Sequence, residues 1–436
     1  MSLPIVAIVG RPNVGKSTLF NRLVRTRQAI VDDTPGITRD RLYRQASWNG
    51  VDFMVVDTGG LHVGSDDVLA IKVTEQAKIA MEQADVIVYM VDAKVGVLED
   101  DVRIIRDLKK TAKKVILAPN KVDDPSKEYE TSEFYSLGFE TMIPISALNG
   151  LNCGDLLDAI VKDLPRREPD TATDETGVAI VGRPNVGKSS LLNAMTGENV
   201  TIVADLPGTT RDAIDTRFEI NDRKYTLIDT AGLKKKNIYK NQLEYYTTLR
   251  TLRAISRCDI AVVVIDSVDG LVAGDLRIAI EAAELFKGLI FAFNKWDIVE
   301  KDPFTADKLR KAVHEKIRTL SYAPVLFISA LSGQRVPKVW EFIDIISAER
   351  KKRIPTSELN NFIQENVDRR PPPARRGKFI KIYYATQPEG DPPTFIFFCN
   401  HPKLIETPYI RYLENRIRGA YGFLGTPIKM IFKLRS

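Results

Sequence analysis

Two nine-residue stretches carry the chemistry: GRPNVGKST from Gly10 to Thr18, and GRPNVGKSS from Gly182 to Ser190. Each reads glycine, four residues, glycine, lysine, hydroxyl, and lies between an apolar strand-like run and a helical start. That pattern and context suit a loop wrapped around nucleotide phosphates. The glycines let backbone N–H groups turn inward, and the helix N-terminus adds the positive end of its dipole. Lys16 and Lys188 supply point charges for the terminal phosphates, and the Ser17 and Ser189 hydroxyls are placed for Mg2+. The candidate phosphate sites are therefore Gly10, Arg11, Pro12, Asn13, Val14, Gly15, Lys16, Ser17 and Thr18 in one stretch. In the other they are Gly182, Arg183, Pro184, Asn185, Val186, Gly187, Lys188, Ser189 and Ser190.

Further residues recur in the same order behind each loop. Asp57-Thr58-Gly59-Gly60-Leu61 answers to Asp229-Thr230-Ala231-Gly232-Leu233, and Thr38-Arg39-Asp40 to Thr210-Arg211-Asp212. Asp57 and Asp229 end apolar strands and are suited to hold Mg2+ through a water. Gly60 and Gly232 can offer a backbone N–H to a γ-phosphate. Thr38 and Thr210 can close over the metal when that phosphate is present. With Lys16 and Lys188, these are the expected catalytic groups. The base is read from Asn120-Lys121-Val122-Asp123 and Asn294-Lys295-Trp296-Asp297. A carboxylate at Asp123 or Asp297 accepts two parallel hydrogen bonds from guanine N1–H and N2–H2. Adenine would set an acceptor against it, leaving a buried charge unpaired. Lys121 and Lys295 would lie along the base, and Asn120 and Asn294 would tie this loop to the phosphate loop. Ser146-Ala147 and Ser329-Ala330 would offer backbone donors to guanine O6.

These residues need parallel strands to position them. PIVAIV, FMVVD, VIVYMVD and KVILAPNK serve in the first copy; VAIV, YTLID, IAVVVID and LIFAFNK serve in the second. Unbroken Val/Ile/Leu runs separated by amphipathic stretches predict a mostly parallel sheet covered by helices on both faces. The chain is thus expected to be α/β, with two tandem P-loop domains over 1–162 and 177–349. An acidic linker over 163–176 joins them, and a basic α+β domain over 350–436 follows. In that last segment the spacing predicts a helix over 356–368, strands FIKIYYATQ and FIFFCN, a helix around YIRYLENRIRGAYGF, and a last strand IKMIFKLR. From Arg350 to Ser436 there are 17 Lys+Arg against 7 Asp+Glu, while the rest of the chain is slightly acidic. Such asymmetry suggests a polyanionic partner, nucleic acid first.

Composition excludes several classes. The chain is 436 residues, 44% hydrophobic, enough for two or three cored domains. No apolar run is long enough to span a membrane, and the N-terminus reads as a first strand. Cys153, Cys258 and Cys399 lie far apart, as free thiols of a reducing cytosol would. His62, His314 and His401 lack ligand spacing. A cytoplasmic protein is expected, and a monomer is the default because no residue pattern sets an oligomeric state.

Two such motif sets followed by a small basic domain resemble the EngA/Der GTPases over essentially the whole chain. The resemblance implies a KH-like third domain, Mg2+-dependent GTP hydrolysis, and assembly of the large ribosomal subunit through rRNA. Leu61 and Leu233 stand where many GTPases place a water-orienting Gln. In this they are similar to GTPases with a hydrophobic replacement, some of which use K+; Asn13 and Asn185 occupy the matching K+-binding place. Two other readings are a GTPase partner in tRNA modification and a nucleotide-gated RNA scaffold with negligible turnover. Gly419 and Gly422 form a literal GxxG, but after the last helix, where it predicts a helix stop and not an RNA clamp. Arg369, Arg370, Arg375, Arg376 and Lys378 are the better phosphate contacts.

Overall fold

A computed structural model of the chain describes residues 4–24, 43–58, 81, 84–111, 113–164, 175–197, 201–202, 215–220, 223–229, 243–300, 305–375 and 377–435. The chain divides into two compact units, one carrying the first of three sheets and the other carrying the second and third.

The first sheet holds β1 (Ile5–Gly10), β2 (Tyr43–Trp48), β3 (Val51–Asp57), β4 (Val86–Asp92), β5 (Lys114–Asn120) and β6 (Thr141–Met142), in the order β2-β3-β1-β4-β5-β6. All pairings are parallel except β2 with β3. Every residue of β1 and β4 is buried, which is why both read as unbroken apolar runs. On one face Leu19, Phe20 and Leu23 of the helix Lys16–Val24 join Leu156, Leu157 and Ile160 of the helix Cys153–Asp163. β1 lies between β3 and β4, so the strand order reverses there and a crevice opens at the strands' carboxyl ends. Gly10, Asp57, Asp92 and Asn120 are the last residues of β1, β3, β4 and β5, and they face that crevice together.

The second sheet repeats the plan with β7 (Glu175–Val181), β8 (Thr201–Ile202), β9 (Thr216–Ile220), β10 (Arg223–Ile228), β11 (Ile260–Asp266), β12 (Gly288–Asn294) and β13 (Val325–Phe327). Its order is β13-β12-β11-β7-β10-β9-β8, with β9 antiparallel to its neighbours. The expected α/β architecture holds in both copies. The antiparallel edge strands went unread because their residues alternate or are half exposed. β2 did leave one signal: Asn49-Gly50, both with positive φ (47° and 80°), is a two-residue hairpin turn between β2 and β3.

The third sheet, β14 (Ile382–Thr386), β15 (Thr394–Cys399) and β16 (Lys429–Leu434), pairs β15 antiparallel to β14 and parallel to β16. Helices Thr356–Arg369 and Thr407–Tyr421 complete the predicted α-β-β-α-β order and bury Leu359, Ile363, Leu413 and Ile417 against Phe395 and Phe397. Gly419 lies inside the second helix, and Gly422 (φ 88°) ends it with its N–H on Arg418 O, so the GxxG is a helix stop. This domain is stitched to the second copy. Leu289 N–H donates to Gly425 O, and Gly425 N–H to Tyr322 O, each at 2.7 Å. Arg350, buried in the helix Pro337–Lys351, bonds Phe286 O at 2.8 Å and pairs with Asp391. The Arg418 guanidinium lies over the Tyr322 ring.

Candidate nucleotide sites

Each phosphate loop leaves the central strand and enters a helix at its lysine. Gly15 (φ +102°) and Gly187 (φ +96°) hold left-handed backbone where a Cβ would run into Asn120 Nδ2 or Asn294 Nδ2. Only glycine meets both demands. Lys16 Nζ donates to Gly10 O at 2.9 Å and Arg11 O at 2.6 Å; Lys188 Nζ donates to Gly182 O and Arg183 O at the same two distances. The loop therefore uses two of the ammonium's three N–H groups and fixes its position. Burial lowers the pKa of both lysines, to about 8 for Lys188; the Asp57 charge partly offsets this at Lys16. Asn13 and Asn185 sit exposed at the loop tips, both with φ 65°.

The base-side loops are built alike. Asn120 Nδ2 donates to Val14 O at 2.7 Å while its Oδ1 accepts from Ala147 N–H at 2.8 Å. Asn294 does the same with Val186 O and Ala330 N–H, at 2.9 and 2.8 Å. One side chain thus fastens the phosphate loop, the base-reading loop and the Ser-Ala loop together. Lys121 (φ 73°) and Lys295 (φ 63°) reach back to Asp92 and Asp266. Trp296 and Val122 are buried beneath the loops, and Ser329 Oγ accepts from Ser332 N–H.

The sites differ elsewhere. Ser17 Oγ donates to Asp57 Oδ2 at 2.7 Å, and Thr58 is anchored on Ile8 O. A hydroxyl and a carboxylate this close, both hard oxygen donors beside the lysine, fit Mg2+. In the second copy Asp229 lies one residue beyond β10 with φ 61°, and its N–H donates to Asp215 Oδ1 at 3.0 Å. Asp215 also pairs with Arg257. On the base side, Asp123 accepts from Ser146 Oγ and from Lys94 Nζ, both at 2.8 Å. The Lys94 hydrogen bond, then that of Ser146, holds the Asp123 carboxyl below its ordinary pKa.

Thr38, Gly59, Gly60, Leu61, Thr210, Thr230, Ala231, Gly232 and Leu233 lie outside the described residues, as does Arg376. Two partners escaped the sequence reading. Arg11 Nε pairs with the fully buried Asp101 at 2.8 Å, and Arg183 Nε with the fully buried Asp275 at 2.9 Å. Each fastens the phosphate loop to the helix behind the third parallel strand, Glu99–Leu108 after β4 and Ala273–Glu284 after β11. The signal was present, since Asp101 and Asp275 stand in the same register of the repeat as Asn120 and Asn294. All three cysteines are free and buried, and among the described residues no helix is long and apolar enough to cross a membrane.

A family model described as a 50S ribosome-binding GTPase matches residues 5–121 and again 177–295. Another, the KH-domain-like C-terminal domain of EngA bacterial GTPase enzymes, matches 353–433. GTPase Der of Moorella thermoacetica is 50% identical over 433 residues, 99% of each chain. GTPase Der of Desulforamulus reducens is 48% identical over 437 residues, 100% of this chain and 99% of that one. Matches of this depth along the whole length, on two P-loop domains and a KH-like third, make the chain a member of the Der (EngA) family and a GTP hydrolase.

Proposed function

We propose that both copies bind and turn over Mg2+·GTP, and that their nucleotide state governs binding to the large ribosomal subunit and its rRNA during assembly in the cytoplasm. The observation that carries this reading is the match of a 50S ribosome-binding GTPase family to both copies, joined to the basic excess of the third domain. The working division is 1–162 and 177–349 for the GTPase domains, 163–176 for the linker and 350–436 for the third domain.

In each site the loop N–H groups and Lys16 or Lys188 bind the β- and γ-phosphates. Ser17 with Asp57, or Ser189 with Asp229, would hold Mg2+, joined by Thr38 or Thr210; when bound, the ion would supply charge neutralisation at the β- and γ-phosphates. The Gly60 or Gly232 N–H donates to the γ-phosphate. Asp123 and Asp297 select guanine, with Lys121 and Lys295 along the ring and Ala147 and Ala330 at O6. Asn13 and Asn185 would be K+ ligands, because leucine at 61 and 233 cannot polarise water. The test is co-sedimentation with purified large subunits in GDP and in a non-hydrolysable GTP analogue, in potassium and in sodium buffer. Binding that needs the analogue supports the reading; binding indifferent to nucleotide, or none, overturns the ribosomal part.

A further inference from the structure

Among the described residues, helices Thr356–Arg369 and Thr407–Tyr421 pack on one face of the third domain's sheet. Phe395, Phe397 and Cys399 of β15 point into the core, while Thr394, Ile396 and Phe398 alternate onto the other face. There Tyr384 stacks on Phe398, with ring centroids 4.4 Å apart and planes 15° from parallel. Tyr384 is 39% exposed, although a tyrosine on a strand ordinarily gains by burial. Lys433 stands beside Phe398 in the parallel register and is exposed. Lys381 and Arg435 both hold their cations over the Tyr383 ring, at 5.6 and 4.7 Å.

This cluster occupies one end of the sheet. The opposite end, with the β14–β15 turn and Gly425, is where the domain is stitched to the second GTPase copy. No Asp or Glu occurs in 379–387, 394–400 or 429–435. The patch therefore offers flat aromatic faces interleaved with cations and no carboxylate of its own strands. Duplex backbones present phosphates but no open base faces, so they would use the cations and waste the rings. Unpaired bases would use both, stacking on the Tyr384–Phe398 platform while phosphates meet Lys433, Lys381 and Arg435.

We propose that this outer sheet face is a binding site for single-stranded RNA, separate from the helix-stop GxxG and from both GTP sites. The proposal rests on the ribosomal reading above for the identity of the polymer as RNA, and on the sheet for its location. The experiment titrates a fluorescein-labelled 12-nucleotide RNA, and the same sequence annealed to its complement, with the full chain, reading anisotropy. Tyr384→Phe is expected to retain binding. Tyr384→Ala is expected to weaken single-strand binding roughly 5- to 100-fold, with GTP turnover and the melting temperature unchanged. Lys433→Gln is expected to flatten the salt dependence by about 0.7 in log–log slope. Equal binding by Tyr384→Ala and the parent chain overturns the site, as does tighter binding to the duplex. Co-sedimentation with large subunits is run in parallel to separate the two failures. A parent chain that binds subunits while Tyr384→Ala binds RNA undiminished sinks the face and leaves the ribosomal reading. A parent chain that ignores subunits yet needs Tyr384 for single strands sinks the ribosomal reading and leaves the face.

Discussion

The two nucleotide sites share their phosphate loops almost atom for atom and part company at the metal-side aspartate and the base-side carboxylate. Asp57 closes its strand and takes the Ser17 hydroxyl. Asp229 stands outside its strand in left-handed backbone, its amide held by Asp215 and, through it, by Arg257. In the aligned first copy, Tyr43 stands where the second has Asp215. On the base side Lys94 sits on Asp123, where the second copy has Val268 in the same register of the repeat. Binding of phosphate is thus built identically, and what differs is the wiring of the segments that read it.

The largest effect should come from what the sites share. Lys16→Ala and Lys188→Ala should each weaken GTP binding in their own copy by roughly 100-fold or more, the loss expected for a buried charged donor. Each should leave the other copy intact. Fluorescent-nucleotide titration that finds one of them harmless would break the equivalence. These variants also isolate each site for the next measurements.

With the first site silenced, Asp215→Ala should cost the second about tenfold in Mg2+·GTP affinity, because the Asp229 amide loses this partner. The first copy has Tyr43 in this register, so an equal loss on Tyr43→Ala in the first site would refute the difference in wiring. The pH profile tests what the two lysines share. In the free protein Lys188 discharges as pH rises through about 8, and bound phosphates must recharge it by proton uptake. Second-site affinity is therefore full below that point and falls above it by up to tenfold per pH unit. Burial lowers the Lys16 pKa too, against the Asp57 charge as Asp275 acts at Lys188, so first-site affinity should decline in the same direction as pH rises. The smallest effect belongs to Lys94→Ala. It frees the Asp123 carboxylate for guanine and should tighten GDP in the first site by less than about fivefold, as suits an exposed pair. A loss of affinity would mean that Lys94 assists the base.

The parallel strands and the helices of the third domain were legible because they are continuous apolar runs or clean helical stripes. Glycine and lysine positions were legible because phosphate chemistry tolerates few substitutes there. The fasteners went unread, although Asp101 and Asp275 share a register of the repeat. Arg11–Asp101 joins residues 90 apart, and a buried carboxylate in EDDVRIIRDL looks like any acidic first turn. Asp215 reads as one more polar residue before the antiparallel strand β9. Its role exists only because the Arg257 side chain, 42 positions on, arrives at the same place.

The stitch at Gly425 bears on how this protein is to be cut. A Cβ there would collide with Ile346, and its two hydrogen bonds complete the backbones of Leu289 and Tyr322. A recombinant fragment ending near residue 350 would strand Leu289 N–H and Tyr322 O at a raw edge. It would also bare Phe286, Tyr322 and Ile346, a sticky surface prone to precipitate. The economical fragment for the workbench keeps the second GTPase copy and the third domain in one piece, and calorimetry on it should record a single melting peak.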